Sequence, residues 1–385
     1  MILKSLSLQN FRNFLKADFS FDSGLSVIVG PNASGKSNLL EAIYFLATGD
    51  SRRTDQDKQC IHLGKELCRI KGVASEELFE DREIPVIARS EERATRQSGR
   101  ARDCFVVPPR NDKAELEAVI SSDSVQGLRK RYLVNGVGKR RVDFAGKLIA
   151  VLFTPLDLDI VLGQPSSRRR YLDELLEQVD YEYRAVLTTY SKALRQRNAL
   201  LEQAQKNGRR NEKQFVYWDE LLIKNGQIIT SKREDLIDYI NKRQKDLFEF
   251  LLEYDKSVIS EERLLKYKDA ELGAGVTLVG PHRDEIKILT YSQKSGANES
   301  IKYFASRGQQ RLVVLELKIS QISYINEKKQ LKPLLLLDDI FSELDDAHIE
   351  HIFEVIKGQQ TVITTTHKEF AASAKISKAH MIELK

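Results

Sequence analysis

GPNASGKS at residues 30–37 is the stretch whose reading decides the fold. It fits G-x-x-x-x-G-K-[ST], and its flanks are those the motif requires. Residues 25–29 (LSVIV) are a short apolar run suited to a buried strand. After the loop, Leu39, Leu40, Ile43 and Leu46 fall on one face of a helix expected over 36–46. The order is strand, glycine-bearing loop, helix.

That order has a chemical purpose. Gly30 and Gly35 let the loop turn so that backbone N–H groups face an anion. The helix that follows adds its positive N-terminal end. Pro31, Asn32, Ala33, Ser34 and Asn38 complete the cradle around Gly30, Gly35, Lys36 and Ser37. Lys36 is placed for the β- and γ-phosphates of a nucleoside triphosphate, and Ser37 for Mg²⁺. A glycine-rich turn without chemistry is the bland alternative, and the strand before and helix after argue against it.

Two further blocks point the same way. Residues 334–339 read LLLLDD. Four leucines make a buried central strand, where adjacent acids are costly without a cation. Asp338 is placed to hold Mg²⁺ through water, and Asp339 to polarise an attacking water. Residues 304–312 read FASRGQQRL. Ser306 can N-cap a helix, with Gln309 completing a capping box. A sharper reading makes Ser306, Gly308 and that helix start an anion site. A chain with its own phosphate loop needs no second one, so the site would serve a nucleotide held by another subunit. SELD follows at 342–345, and TTTH ends at His367.

Around these blocks the pattern changes twice. Apolar runs IPVIA (84–88), CFVVPP (104–109), RYLV (131–134) and LIAVLF (148–153) read as antiparallel strands. From about residue 168 the period is helical, through Tyr171, Leu175, Val179, Leu187 and Leu194. A polar stretch at 205–214 reads as a loop, and Phe215, Leu222, Ile229, Leu236, Leu247 and Leu251 stripe a second long helix. Two long helices around a polar loop suggest a hairpin or small bundle. Strand and helix grammar returns with a helix at 306–325, strands at 334–337 and 361–366, and a helix at 347–356.

The 385 residues hold three cysteines, Cys60, Cys68 and Cys104, without a CxxC pair. That argues against a disulfide framework or zinc site. No stretch nears the roughly 18 apolar residues of a membrane span, and the N-terminus shows no signal-peptide core. The expectation is a cytoplasmic protein with no membrane partner.

Together the motifs resemble the ATPase head of the ABC superfamily and, more narrowly, the RecF family of bacterial recombination mediators. GKSNLLEAIYFLATGDSRRT (35–54), LFTPLDLDIVLGQPSSRRRYLDELL (152–176), YSKALRQRNALL (190–201), GPHRDE (280–285), SRGQQRL (306–312) and LLLLDDIFSELD (334–345) follow in family order. The resemblance implies an α/β fold: a P-loop ABC-type ATPase head, residues 1–160 and 273–385, with an antiparallel β subdomain (a basic insert at about 84–150) and an inserted helical domain at 161–272. It implies ATP and Mg²⁺ as cofactors, an ATP-dependent homodimer, and weak, DNA-dependent hydrolysis that resets the clamp. It names Lys36, Asp339 and His367 as catalytic, and adds Asp345 to the nucleotide contacts. Its implied partners are double- and single-stranded DNA at gaps or junctions, RecO and RecR, in loading RecA for replication, recombinational repair and the SOS response.

The chain departs from the pattern in places. Asp339 stands where many ABC ATPases carry Glu, and Arg307 replaces a signature glycine. FTPLDL (153–158) lacks the Mg²⁺-sensing Gln, so either Asp157 replaces it or the sensing differs. His282, Arg283 and Asp284 read as a packed turn. Arg168, Arg169 and Arg170 either touch DNA or pair with acids on their own helix.

Charge locates the DNA. Residues 89–147 hold 14 Lys and Arg against 8 Asp and Glu, which leaves 47 against 48 elsewhere. The whole net charge of +5 therefore sits in one region. There, Arg89, Arg93, Arg96, Arg100 and Arg102 precede Arg129, Lys130, Arg131, Lys139, Arg140 and Arg141, which suit phosphate contacts. Three other readings remain: an SMC-like tether, which needs far longer arms; a transporter nucleotide-binding subunit, which has no use for a basic insert; and a scaffold that binds ATP without turnover.

Overall fold

The run LSVIV does form a strand, and Ser26, Val27, Ile28 and Val29 are all buried. In this computed structural model, residues 2–54, 56–75, 113–123, 127–208, 210–293, 296–340, 350, 352, 354–366 and 379–384 are described. The N-terminal elements are β1 (Ile2–Phe11), β2 (Phe14–Ser20), β3 (Leu25–Val29), α1 (Lys36–Thr48), β4 (Leu67–Ser75), β5 (Lys113–Asp123), β6 (Gly127–Val134), β7 (Val137–Lys139), α2 (Arg141–Phe144) and β8 (Ala150–Phe153). Next come α3 (Asp159–Leu162), α4 (Pro165–Val179), α5 (Tyr181–Asn207), α6 (Glu212–Lys242), β9 (Leu251–Asp255), α7 (Glu261–Lys266) and α8 (Lys268–Ala274). The chain closes with β10 (Glu285–Ser292), β11 (Ala297–Ser300), α9 (Ile301–Phe304), α10 (Arg307–Lys329), β12 (Leu334–Asp338), β13 (Thr361–Thr365) and β14 (His380–Glu383).

A parallel sheet in the order β14-β3-β13-β12-β8 carries the site. Its register aligns the C-terminal strand ends, since Thr364 pairs with Ile28 on one side and Asp338 on the other. Crevices outside such strand ends are where ligands bind in parallel sheets. Helix α1 packs over one part of this sheet and onto the second sheet, whose order is β2-β1-β4-β5-β6-β7. That sheet is antiparallel throughout. Its apolar side joins α1 in one core, which includes Leu6, Phe45, Ile70 and Ile120.

Two sequence expectations change here. Residues 148–153 read as antiparallel, yet β8 pairs parallel with β12. All four residues of β8 are buried, and a strand buried on both faces shows no alternation by which to tell its direction. The helical stripe read through Leu251 stops at Lys242, and Leu251 instead opens β9, which pairs with β10. The cause is tertiary. Glu316 on α10 accepts hydrogen bonds from the backbone N–H groups of Asp246 and Leu247, each at 2.7 Å, so those groups are satisfied outside any helix.

Helices α5 and α6 pack as the expected hairpin. Asp180 separates α4 from α5, its carboxylate accepting from the Tyr183 N–H at 3.1 Å. The 84–88 and 104–109 runs, Cys104, Arg89, Arg93, Arg96, Arg100, Arg102, the 342–345 block with Asp345, residues 347–349 and His367 lie outside the described residues. No described helix is long and apolar enough to cross a membrane. Cys60 and Cys68 are buried free thiols.

GPHRDE is a packed turn, as its composition suggested. Asp284 is fully buried and accepts from Arg233 at 3.0 Å, the Tyr254 hydroxyl at 2.5 Å and the Ser257 N–H at 2.8 Å. Arg283 donates to the Thr277 carbonyl, and Glu285 pairs with Arg168 at 2.8 Å. His282 lies 2.7 Å from the Tyr190 hydroxyl. Burial pushes its imidazole from 6.5 down to about 4, against an opposing contact with Thr277. Between those values the unfolded chain binds a proton that the folded one refuses. This group therefore leaves stability intact above pH 6.5 and lowers it as pH falls toward 4, by at most roughly 3 kcal/mol. His282→Gln should flatten the fall in unfolding free energy between pH 7 and pH 5. Denaturant titrations of both proteins at both pH values check this, and parallel pH profiles would contradict it.

Candidate functional site

The loop after β3 is bent by two left-handed residues, Ala33 at φ 66° and Gly35 at φ 104°. Position 35 tolerates no side chain, because a Cβ there would lie 2.5 Å from the Asn13 amide and 2.9 Å from the Phe14 ring. The Lys36 ammonium is buried and folds back over the loop, donating to the carbonyls of Gly30 at 2.7 Å and Pro31 at 2.8 Å. Burial lowers its pKa, opposed by Asp339 and then Asp338. Ser34 Oγ is buried and, among the described residues, has no hydrogen-bond partner. A buried lysine, an unpartnered hydroxyl and a glycine cradle at the start of a 13-residue helix match a phosphate group.

The candidate metal corner is built from the start of α1 and the ends of β12 and β13. Ser37 Oγ donates to Asp338 Oδ1 at 2.9 Å, and Thr364 Oγ1 donates to the same oxygen at 2.8 Å. Burial raises the Asp338 pKa, and the Thr364 and Ser37 hydroxyls oppose that rise. An all-oxygen corner with a buried carboxylate suits a hard cation such as Mg²⁺. Asp339 follows in the left-handed region at φ 48°, its N–H donating to Thr364 Oγ1 at 3.1 Å. That conformation costs a non-glycine residue about 1–2 kcal/mol. It turns the chain sharply off the strand, next to the metal corner.

Sequence reasoning missed the supports. Asn13, in the turn after β1, donates to the Ser34 carbonyl at 3.1 Å and accepts from Asn38 at 2.8 Å. Arg53 holds Asn38 in turn at 2.7 Å, and Arg12 pairs with the buried Glu41 at 2.6 Å. Asn38 thus ties the N-terminal turn to the loop. Asn13 and Thr364 carry no spacing signal; one lies in a short turn and the other read only as part of a β-branched strand.

Ser306 N-caps α10 as expected: its N–H donates to Gln309 Oε1 at 2.8 Å, and its hydroxyl accepts from the Gln309 N–H at 3.3 Å. Gln310, buried behind the cap, donates to the carbonyls of Ile301, Lys302 and Ala305. Ser306, Arg307, Gly308 and Gln309 are all exposed. Among the described residues no hydrogen bond or ion pair joins them to the phosphate loop.

Asp157 does not stand free to sense a metal. It is fully buried, pairs with Arg52, and lies 2.8 Å from the Lys318 ammonium of α10. Burial alone would raise its pKa, but Arg52 and Lys318 outweigh that and hold it low. Burial and Arg52 push Lys318 down to about 8, against the pull of Asp157. In this arrangement Asp157 is committed to Arg52 and Lys318.

The basic residues divide. Lys130 pairs with Asp50 at 2.5 Å and Asp57 at 2.7 Å, and Arg141 with Asp50 and Glu177. Arg140 pairs with Asp143 at the surface. Arg129, Arg131 and Lys139 are exposed without an ion pair among the described residues. The alternation of β6 explains the split, since Lys130 shares the inward face of Tyr132 while Arg129 and Arg131 lie on the other.

Residues 2–383 match the family model described as RecF/RecN/SMC N terminal domain. The DNA replication and repair protein RecF of an Exiguobacterium species is 33% identical over 408 residues, covering 100% of this chain and 98% of that protein. RecF of Thermosynechococcus vestitus is 35% identical, covering 95% of this chain and 91% of its own. A solved structure of the recombination mediator protein RecF-ATPrS in the RecFOR pathway aligns with TM-score 0.78 at 27% identity, over 100% of this chain and 96% of that one. A RecF-ATP structure aligns with TM-score 0.77 at 28% identity.

Proposed function

The chain belongs to the RecF family of DNA replication and repair proteins, within the RecF/RecN/SMC group, and on that premise we propose that it is an ATP-driven clamp that closes on DNA as a homodimer. The observation that carries this reading is the convergence of Lys36 and Ser37, at the start of α1, with Asp338 at the end of β12. Lys36 exchanges the Gly30 and Pro31 carbonyls for the β- and γ-phosphates of ATP. Ser37 and Asp338 hold Mg²⁺, which neutralises phosphate charge. Asp339 orients water, and hydrolysis resets the clamp slowly. Ser306, Gly308 and the exposed start of α10 face outward, as required of groups that close on the γ-phosphate held by a second copy. His367 and Asp345 retain their proposed nucleotide roles by family analogy.

DNA rests on the exposed Arg129, Arg131 and Lys139. No base-reading pattern accompanies them, so binding follows structure rather than sequence. By the same analogy the protein works at single-strand gaps and junctions with RecO and RecR, assists RecA loading, and serves recombinational repair and the SOS response. An SMC-like tether is disfavoured, because α5 and α6, at 27 and 31 residues, reach only about 40 and 47 Å.

Lys36→Ala should abolish ATP-driven dimerisation, and Ser306→Arg should bind ATP yet remain a monomer. Light scattering with and without ATP reads both, and a dimer indifferent to ATP would contradict the clamp. Arg129→Glu with Arg131→Glu should weaken duplex binding and lower the slope of log K against log salt by about 2. An unchanged slope in a fluorescence-anisotropy titration removes this strand from the interface.

A further inference from the structure

Asp338 has a threonine on either side of it, at its own level in the sheet. β13 supplies Thr364, which pairs with it in register. β8 leads to the other. Leu337 pairs with Phe153, and Thr154 is still extended at φ −140° and ψ 159°, so it follows as the neighbour of Asp338. The three side chains share a face. Leu152, Leu336 and Val362 lie in the core with α1, whereas Phe153, Leu337 and Ile363 lie in the core on the other side. Thr154, Asp338 and Thr364 each stand two residues beyond the first set, on the face from which α1 brings Ser37.

The two threonines are engaged differently. Thr364 Oγ1 donates to Asp338 Oδ1 at 2.8 Å, beside the Ser37 hydroxyl at 2.9 Å. Thr154 Oγ1 is buried and has no hydrogen-bond partner among the described residues. Its backbone is fixed by a capping box. The Thr154 N–H donates to Asp157 Oδ2 at 2.7 Å, and the Asp157 N–H donates to the Thr154 carbonyl at 2.9 Å. That box also turns the Asp157 N–H toward the Thr154 hydroxyl, but an N–H cannot accept the hydroxyl's own proton. A buried donor without an acceptor is destabilising. Asp338 Oδ2 likewise receives no hydrogen bond among the described residues.

Thr154, Ser37, Arg52, Leu156 and Asp338 line a hollow of about 10 Å³, close to the space one water molecule needs. Arg52 is committed to Asp157. A carboxylate oxygen and a hydroxyl, neither of them engaged, are the polar partners such a water requires.

We propose that Thr154 is a positioning residue of the candidate metal corner: its hydroxyl holds a water beside Asp338 and so completes the oxygen set into which Mg²⁺ fits. Mg²⁺ keeps several waters and takes few protein groups, so a corner of Ser37 and Asp338 leaves much of its shell to water. Groups that orient such a shell govern metal affinity without touching the metal. Thr154 does this from a backbone anchored through Asp157 to Lys318 of α10. The inference rests on the ATP and Mg²⁺ reading above and adds a residue to it.

The test compares the affinity of the full chain for a fluorescent ATP analogue in saturating Mg²⁺ and in EDTA, and the ratio of the two is the metal's contribution. Thr154→Val keeps the shape and removes the hydroxyl. It should cut the ratio about tenfold, with affinity in EDTA unchanged. Thr154→Ser keeps the hydroxyl and should retain most of the ratio. Thr154→Ala lacks the hydroxyl and adds no bulk, so it should match Thr154→Val and serves if that variant does not fold. A threonine that only caps the turn would shift both affinities together or show its loss only in denaturant titrations, and either result overturns the proposal. A serine variant no better than valine overturns it as well. Asp338→Asn tests the reading beneath and should collapse the ratio. If it does so while Thr154→Val and Thr154→Ala keep the wild-type ratio, this inference alone fails. If the wild-type chain gains nothing from Mg²⁺, or Asp338→Asn keeps the gain, the metal corner fails with it.

Discussion

A 2.9 Å hydrogen bond between Ser37 and Asp338 joins residues 301 positions apart. It exists because β13 lies between β3 and β12 in register, so that three strands end at one level. The strand sequences make that alignment stable. Leu334, Leu335, Leu336 and Leu337 are fully buried, each worth roughly 1.5–3 kcal/mol relative to exposure. A one-residue slip of β12 would turn its side chains to the opposite faces of the sheet and draw Asp338 away from Ser37. The geometry of the proposed nucleotide site is thus held by an apolar core.

Behind this site lies a second layer of charge. Arg52 follows α1, Asp157 follows β8, Glu174 is on α4 and Lys318 is on α10, and these four meet as buried or half-buried ion pairs. Each comes from a different segment. Removing one partner strands the rest in low dielectric, at a cost of about 3–5 kcal/mol. The network therefore ties the phosphate-loop helix to the helix whose N-terminus carries Ser306. Movement at one end has to be accommodated at the other, because packed ion pairs admit few arrangements.

What could be read from the sequence follows how locally each feature is encoded. GPNASGKS, LLLLDD and the Ser306 capping box are contiguous, and their local geometry needs only a strand or helix beside them. The α5–α6 hairpin was legible from its stripe. The direction of β8 was not, since a run buried on both faces has no alternation. The end of α6 was hidden because Glu316, over 70 residues away, supplies the bonds that replace helical ones. Lys130 read as a DNA contact because sequence shows its charge but not Asp50 and Asp57 beside it. Asn13 and Thr364 support the site through single hydrogen bonds, and no spacing announces those.

The central claim is that one chain supplies the phosphate loop and a second supplies the Ser306 helix. Mixing the Lys36→Ala and Ser306→Arg chains tests it most directly, by ATP turnover at fixed total protein. Each variant alone lacks one half of every site, whereas a mixed pair holds one site with both halves intact. The account predicts turnover in the mixture and none in either variant alone. A mixture as inactive as its components, or a Ser306→Arg chain that turns over unaided, would contradict it.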